Sequence, residues 1–296
     1  MGTSGRGLIF LVKFLRRLRG GSQPILAQAS DGITYVVKFK SNPQGPNLLF
    51  NECAGSELYR AFGLPIPQWQ SVYMPEAFIE RHPESWIETE EGIRPPAPGL
   101  CYASEYVGGT APLYEILPSA RFGDVRNLRD FWLAWLVDIC AEHADNRQAA
   151  FVRRADGSLR AYFFDHGHLF GGPSGDRQSH FVTSRYLDAR IYPSVTPMFL
   201  LSLKRAADNL DATRLLQRVE AIPDEWRTAP GFQKVVECLN RLSRESLVAN
   251  ILDTMMDSLG RTSAHDKSEC TRWANPVNPV LLSAVRARRR ERTALA

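Results

Sequence analysis

Residues 143–151 read HADNRQAAF, and residues 163–170 read FFDHGHLF. Each stretch sets an acid close to a histidine at the edge of an apolar run, and the two acids, Asp145 and Asp165, stand twenty residues apart. Before the first runs LRDFWLAWLVDICAEHA, apolar almost all round, as a helix buried inside a lobe is. Before the second runs LRAYFF, a short strand. One acid in a loop after a buried helix and another at a strand end suit phosphoryl transfer, where one carboxylate serves the acceptor hydroxyl and one holds a metal. That chemistry also needs backbone donors over the phosphates and a lysine on their oxygens. The fold turns on whether the chain upstream supplies them.

It does, in order. Residues 8–40 read as three strands, LIFLVKFL, PILAQAS and ITYVVKFK, joined by RGGSQ and SDG, which are hairpin signals. In RGGSQ, Gly20 and Gly21 let main-chain N–H groups approach anionic oxygens without a Cβ in the way, so the loop Gly20, Gly21, Ser22, Gln23 is the candidate phosphate cradle. Taken alone, two glycines between strands are more often a plain hairpin turn. Strand alternation in YVVKF puts Val36 and Lys38 on one face and Val37 and Phe39 on the other. A lysine so flanked either snorkels to water or meets an anion. Glu52 and Glu57 follow on the next predicted helix, NLLFNECAGSELYRAFG; Glu52, in the NE at its start, is the favoured partner and Glu57 its competitor.

Residues 66–107 are rich in proline and aromatics and end in a strand, LCYASEYV, before GGTAP at 108–112, which reads as a hinge. Main-chain groups of Glu105, Tyr106 and Val107 are therefore expected beside a nucleobase. Helical patterns dominate from about 193 to 258. The expected architecture is α+β and two-lobed: a small β-rich N-terminal lobe with one helix (1–108), a larger mainly helical C-terminal lobe carrying the catalytic and metal loops (109–258), and a poorly ordered polar, then basic, tail (259–296). Ligand is expected in the cleft between the lobes.

Composition excludes other classes. With 44% hydrophobic and 23% charged residues among 296, the chain is an ordinary globular protein rather than a disordered or membrane-spanning one. The net charge of +4 sits largely in KFLRRLR (13–19) and VRARRRER (285–292), without a reader motif or aromatic platform, so nucleic acid is not an expected partner. Cys53, Cys101, Cys140, Cys238 and Cys270 are odd in number and widely spaced, which suits reduced cytoplasmic thiols. LIFLV at 8–12 is too short to span a bilayer and its positive charges mostly follow it, and Arg6 stands where a myristoylation signal has Ser or Thr. A cytoplasmic location without membrane attachment is expected. The six tryptophans read as core or lobe-interface residues.

Taken together, RGGSQPIL, YVVKF, NPQG, FNE, HADNRQAAF and FFDHGHLFGG, spread in this order over about residues 15–180, resemble the HipA-like kinases, bacterial relatives of the protein-kinase fold. The resemblance implies that the chain binds ATP and magnesium (Mg2+) and transfers phosphate to a hydroxyl, that of serine in the HipA toxins themselves. It implies Asp145 as catalytic acid, Asp165 as metal acid and Lys38 as phosphate lysine. Arg147 falls where such kinases keep a cationic or imidazole group that steadies the transferred phosphoryl. One position departs from the pattern: five residues past the catalytic acid these kinases place a metal-binding asparagine, and here it is Ala150. Gln148, three residues after Asp145, is the candidate to replace it at the metal. Ala150 also supports a second reading, a nucleotide-binding pseudokinase that regulates or docks. A third makes a transition-metal site from His143, Asp145, His166 and His168. The phosphate acceptor, protein or small molecule, is not specified by the sequence, with protein Ser/Thr the expected class; the basic C-terminal stretch is a candidate docking tail.

Overall fold

Three strands follow one another at the start of the chain, Leu11–Arg17 (β1), Ile25–Ala29 (β2) and Thr34–Lys38 (β3). The computed structural model describes residues 7–40, 42–108, 113–175 and 184–273. After β3 come a helix, Leu48–Ala61 (α1), a strand, Trp69–Met74 (β4), a short helix, Glu76–Arg81 (α2), a small hairpin, Ile87–Thr89 and Gly92–Arg94 (β5 and β6), and a strand, Gly99–Glu105 (β7). The sheet order is β1-β2-β3-β7-β4, every pair antiparallel. The sheet curls until its ends meet: the Tyr73 N–H donates to the Ile9 carbonyl at 2.8 Å, and Phe10 bridges Tyr73.

Alternation decides what each face of this sheet does. Tyr35, Val37 and Phe39 point into an apolar core with Ile25, Val72, Met74, Cys101 and Ala103, closed by Phe78 and Ile79 of α2. Val36 and Lys38 point the other way, toward α1 and the larger lobe. Helix α1 is buried from Leu48 through Tyr59 because it lies between the lobes. On the sheet side Ser56 Oγ meets the Tyr102 hydroxyl at 3.0 Å, and on the other side Asn51 Nδ2 reaches the carbonyls of Gly167, Leu169 and Gly172 at 2.9–3.0 Å. Glu57, on the same helix, pairs with Arg60 and with Arg218 (2.8 Å) and accepts the Trp69 indole N–H at 3.0 Å.

Beyond β7 the larger lobe begins with a two-residue strand, Leu113–Tyr114 (β8), then a buried helix, Asp130–Cys140 (α3), and the hairpin Gln148–Arg153 and Leu159–Phe164 (β9 and β10). These strands form an antiparallel sheet in the order β10-β9-β8. Phe131, Trp132 and Trp135 of α3 are buried among Phe151, Phe163 and Tyr192. Three helices follow, Pro197–Asp208 (α4), Ala212–Glu220 (α5) and Ala229–Leu242 (α6), and then Glu245–Trp273 (α7). Local sequence starts the first three: the side chains of Thr196, Asp211 and Thr228 accept N–H groups of the first turn, and proline enters the first turn of α4 and α6, where no N–H is missed.

The chain is thus a two-lobed, protein-kinase-like fold, with a small antiparallel-sheet lobe and a larger, mainly helical one. Contacts divide it into one unit over Met1–Leu252, which contains both lobes, and another over Asp253–Ala296. In the second unit the chain is helical as far as Trp273, where the sequence suggests a poorly ordered tail from residue 259. Arg6, hinge residues 109–112 and the basic stretch 285–292 lie outside the described residues. Among the described residues no helix is long and apolar enough to cross a membrane.

Candidate active site

A cavity of about 420 Å³ opens between the lobes. Of the residues singled out for the site from sequence, all but Gln23, Glu57, His143 and Arg147 line it. Its roof is the loop after β1, where Gly20 has φ +132°, a backbone conformation that side-chain-bearing residues rarely adopt. Ser22 follows, its carbonyl held by Asn42 Nδ2 at 2.6 Å. Gln23 turns out of the cavity: its carboxamide donates to the Glu88 carbonyl at 2.7 Å and accepts the Glu88 N–H at 2.8 Å, tying the loop to β5. The expectation that all four loop residues face a ligand is corrected at this position.

On the floor, Lys38 Nζ bonds Glu52 Oε1 and donates to Asp165 Oδ1 at 2.7 Å. Of the two glutamates considered, Glu52 therefore meets the lysine, while Glu57 faces Arg60 and Arg218. Glu52 also accepts the N–H groups of His166 (3.1 Å) and Gly167 (2.9 Å). Glycine at 167 permits this approach: a Cβ there would stand 2.5 Å from Leu48 Cδ1 and 2.9 Å from Glu52 Oε1 and would have to displace those side chains. Asp165 itself is left-handed, with φ +60°, the kind of backbone strain that collects at functional sites. Its second oxygen accepts from Gln148 Nε2 at 2.8 Å. Gln148 and Ala150 alternate on β9, so both face the cavity. Asp145 lines it as well, with Oδ1 accepting the Asn146 N–H at 2.7 Å.

The electrostatics follow from burial opposed by pairing. Burial alone would lower the Lys38 ammonium, but Asp165 and Glu52 outweigh it and hold the group above its ordinary value. Burial alone would raise the Asp165 carboxyl, but the Lys38 charge and hydrogen bond hold it well below the usual carboxylate range. Burial pushes Glu52 up against the pull of Lys38.

Arg147 is placed differently from the sequence expectation. It is 2% exposed and does not line the cavity. Its guanidinium forks onto Asp138 of α3, with Nε–Oδ2 2.8 Å and Nη2–Oδ1 2.7 Å, and lies 4.9 Å from the centre of the Tyr59 ring. Its guanidinium is thus engaged behind the cavity rather than turned into it.

His143, His166 and His168 are buried beside this floor, yet among the described residues no group of three or more His, Cys, Asp or Glu side chains is arranged to hold a metal ion. Burial, then the Arg147 charge, drive the pKa of His143 and of His166 well below the ordinary imidazole value, so both are neutral. Unfolding frees these rings to titrate near ~6.5. Below that pH the unfolded chain binds more protons than the folded one, so their contribution to stability is complete above ~6.5 and falls as pH drops through it, by up to ~1.4 kcal/mol per group per pH unit. Asp165, whose carboxyl is depressed, contributes stability that is lost only below about pH 4, so it does not confuse the measurement. The thermal midpoint is expected to fall between pH 7.5 and 5.5, and His143→Leu to reduce that slope; an equal slope in the variant would show that His143 does not carry the effect.

Among the cavity residues that escaped the sequence reading are Gln44 and Glu115. Gln44, in the NPQG stretch, lies against Gly21, where an added Cβ would come within 2.6 Å of its Nε2, and its Nε2 is 3.5 Å from His168 Nε2. Glu115 stands at the cavity wall just after β8. The NPQG motif was itself a signal for the first; nothing marks the second.

Residues 11–114, which form the small lobe and reach into the start of the larger one, match the model of the HipA-like kinase family. The match supports a phosphotransferase. In overall structure the chain is similar to the proinflammatory kinase CtkA of Helicobacter pylori, with a TM-score of 0.50 and 13% identity over 83% of this chain and 96% of that one, a likeness of fold. Hydra Fam20 with sugar aligns at TM-score 0.48 and 11% identity over 84% of this chain and 86% of its own. The Golgi casein kinase with Mn/ADP bound aligns at 0.46 and 12% over 82% and 73%. A comparison with curated proteins finds no match.

Proposed function

We propose that the chain is an ATP- and magnesium-dependent phosphotransferase that moves a phosphoryl group to a hydroxyl, with protein Ser/Thr as the acceptor class. The observation that carries this reading is the buried Lys38, bonded at once to Glu52 and Asp165 inside an interlobe cavity roofed by a glycine loop. Such a lysine has its charge fixed and its position set before any ligand arrives, which is what an anionic phosphate chain needs.

Gly20, Gly21 and Ser22 cover the phosphates with main-chain groups, and Asn42 fixes the Ser22 carbonyl that ends this cradle. The nucleobase lies against β7. There the N–H groups of Glu105 and Tyr106 are already bonded, to the carbonyls of Gln68 (2.7 Å) and Thr34 (2.9 Å), which leaves their carbonyls and the main chain of Val107 to meet the base. Asp145 orients the acceptor hydroxyl and takes its proton. Magnesium takes one or two protein carboxylates together with phosphate oxygens and water, and an all-oxygen set from Asp165 and Gln148 fits that requirement. When bound it supplies neutralisation of the charge on the transferred group.

Ala150 favours a second reading, a nucleotide-binding pseudokinase, because this cavity-lining position offers no ligand atom. ATP titration with and without magnesium separates the possibilities. Wild type is expected to bind more tightly with magnesium, Asp165→Ala to lose that increment, and Gln148→Ala to weaken it. A wild type indifferent to magnesium would sink the metal assignment. Transfer gained only in Ala150→Asn would make the natural chain a pseudokinase.

A further inference from the structure

Asp138 is the one acid in the apolar run FWLAWLVDIC, and it is completely buried. It touches no part of the cavity, yet it brackets the segment that carries Asp145. Its main-chain carbonyl accepts the His143 N–H at 2.9 Å, two residues before Asp145, and its carboxylate takes the Arg147 fork, two residues after. The Tyr59 hydroxyl, from α1, donates to the same carboxylate at 2.7 Å. Arg147 carries the connection onward: its Nη1 donates to the Phe164 carbonyl at 2.8 Å and reaches the Asp165 carbonyl at 3.3 Å, across the left-handed turn at Asp165. One carboxylate is thus tied within two groups to both acids of the site and to the helix that bears Glu52.

We propose that the buried Asp138–Arg147 pair is a positioning device that sets the Asp165 turn against the Asp145 segment, and that Asp138 governs magnesium-dependent nucleotide binding without touching nucleotide. Stability alone is a poor reason for such a pair, because desolvating two charges offsets their attraction and an apolar pair of similar volume serves as well or better. What apolar side chains lack is the fork: guanidinium N–H groups aimed at a carboxylate and at two carbonyls simultaneously, which neither lysine nor an aliphatic chain reproduces. Partners that orient a metal-binding group from behind typically change metal affinity by about 10–100-fold when removed.

The functional half of this proposal rests on the phosphotransfer reading; the positional half does not. The double variant Asp138→Leu with Arg147→Met removes the pair without stranding a buried charge, and Asp138→Asn keeps the side-chain volume while weakening the fork. Both are made, so that a folding failure in one leaves the other to be read. In the ligand-free proteins, hydrogen exchange is followed at the amides of His166 and Gly167, whose N–H groups donate to Glu52. Exchange there is expected to quicken, while the amides of β2 and β3 in the small lobe keep wild-type protection. ATP affinity is then measured with and without magnesium: the magnesium-dependent gain is expected to fall by about 10–100-fold, with magnesium-free affinity unchanged. A folded variant with wild-type exchange at 166 and 167 overturns the proposal, whatever the chain binds. A wild type without any magnesium-dependent gain sinks the phosphotransfer reading and the functional half with it, and the exchange result still decides the positional half.

Discussion

Asp145→Asn is expected to lower phosphoryl transfer by about 10²–10⁴-fold while leaving nucleotide affinity and thermal stability as in the wild type. A carboxylate that orients a hydroxyl and accepts its proton acts only as the acceptor attacks, so its loss appears in the transition state and not in the binding of the donor. The structure makes this substitution a clean one. Asp145 is half-buried at the cavity wall, and its Oδ1 accepts the Asn146 N–H, which an asparagine oxygen accepts equally. Lys38, which holds Asp165, is not bonded to Asp145. Single-turnover transfer from labelled ATP, read beside calorimetric titration of the nucleotide, tests it. Transfer at the wild-type rate would remove Asp145 from the reaction, and loss of nucleotide binding would move it to the phosphate or metal site.

The parts of this architecture that sequence revealed are those fixed by local rules. Alternation in YVVKF is a two-residue period, so it alone separates Val37 and Phe39 in the core from Val36 and Lys38 on the cleft side. Glycine loops and the helical spacing before Gly63 likewise place β1, β2, β3 and α1. The stretch 66–98 was opaque because its order comes from distant partners. β4 is a strand by virtue of pairing with β7, and its closure onto Ile9 joins residues far apart in the chain. The β5–β6 hairpin is held partly through Gln23, so neither its strands nor the direction of that glutamine could be read from one end.

The same distinction runs through the site. That Lys38 needs an anion is a local statement about a lysine among apolar neighbours; that the anion is Glu52 shows only in the folded chain, where Glu57 is engaged by Arg60, Trp69 and the distant Arg218 of α5. The resemblance implies a ligand-facing task for Arg147, but a matching position says nothing about Asp138 behind it. A signal did exist. A lone acid inside FWLAWLVDIC faces burial, and buried acids are almost always paired, so a nearby arginine was its natural partner.

Lys38→Met is expected to cost both function and fold: nucleotide affinity falls, and stability drops by about 3–5 kcal/mol at neutral pH. From the sequence alone, a methionine stem keeps the sheet covered and the fold intact. The structure changes that expectation, because Lys38 is 5% exposed and stands between two acids rather than at a wet edge. Without the ammonium, Glu52 keeps two backbone N–H groups and Asp165 keeps Gln148, but no positive charge remains bonded to either carboxylate. The pH dependence gives the argument a sign. In wild type the depressed Asp165 carboxyl contributes stability that is present above its unfolded value near ~3.9 and lost as pH falls through that range toward its folded value. The variant lacks this contribution, and its stranded carboxyls titrate higher, so the stability gap between the two proteins is expected to narrow as pH is lowered from 7 toward 4. Neutralising the other partner is the control: Glu52→Gln added to Lys38→Met removes one of the two uncompensated charges and is expected to recover part of the loss, whereas Glu52→Gln in wild type leaves Lys38 its second acid. Urea unfolding at several pH values measures all four proteins. Equal stability of wild type and Lys38→Met at neutral pH would mean that the two acids carry no stranded charge once the lysine is gone, and the site's fixed electrostatics would then have to come from elsewhere.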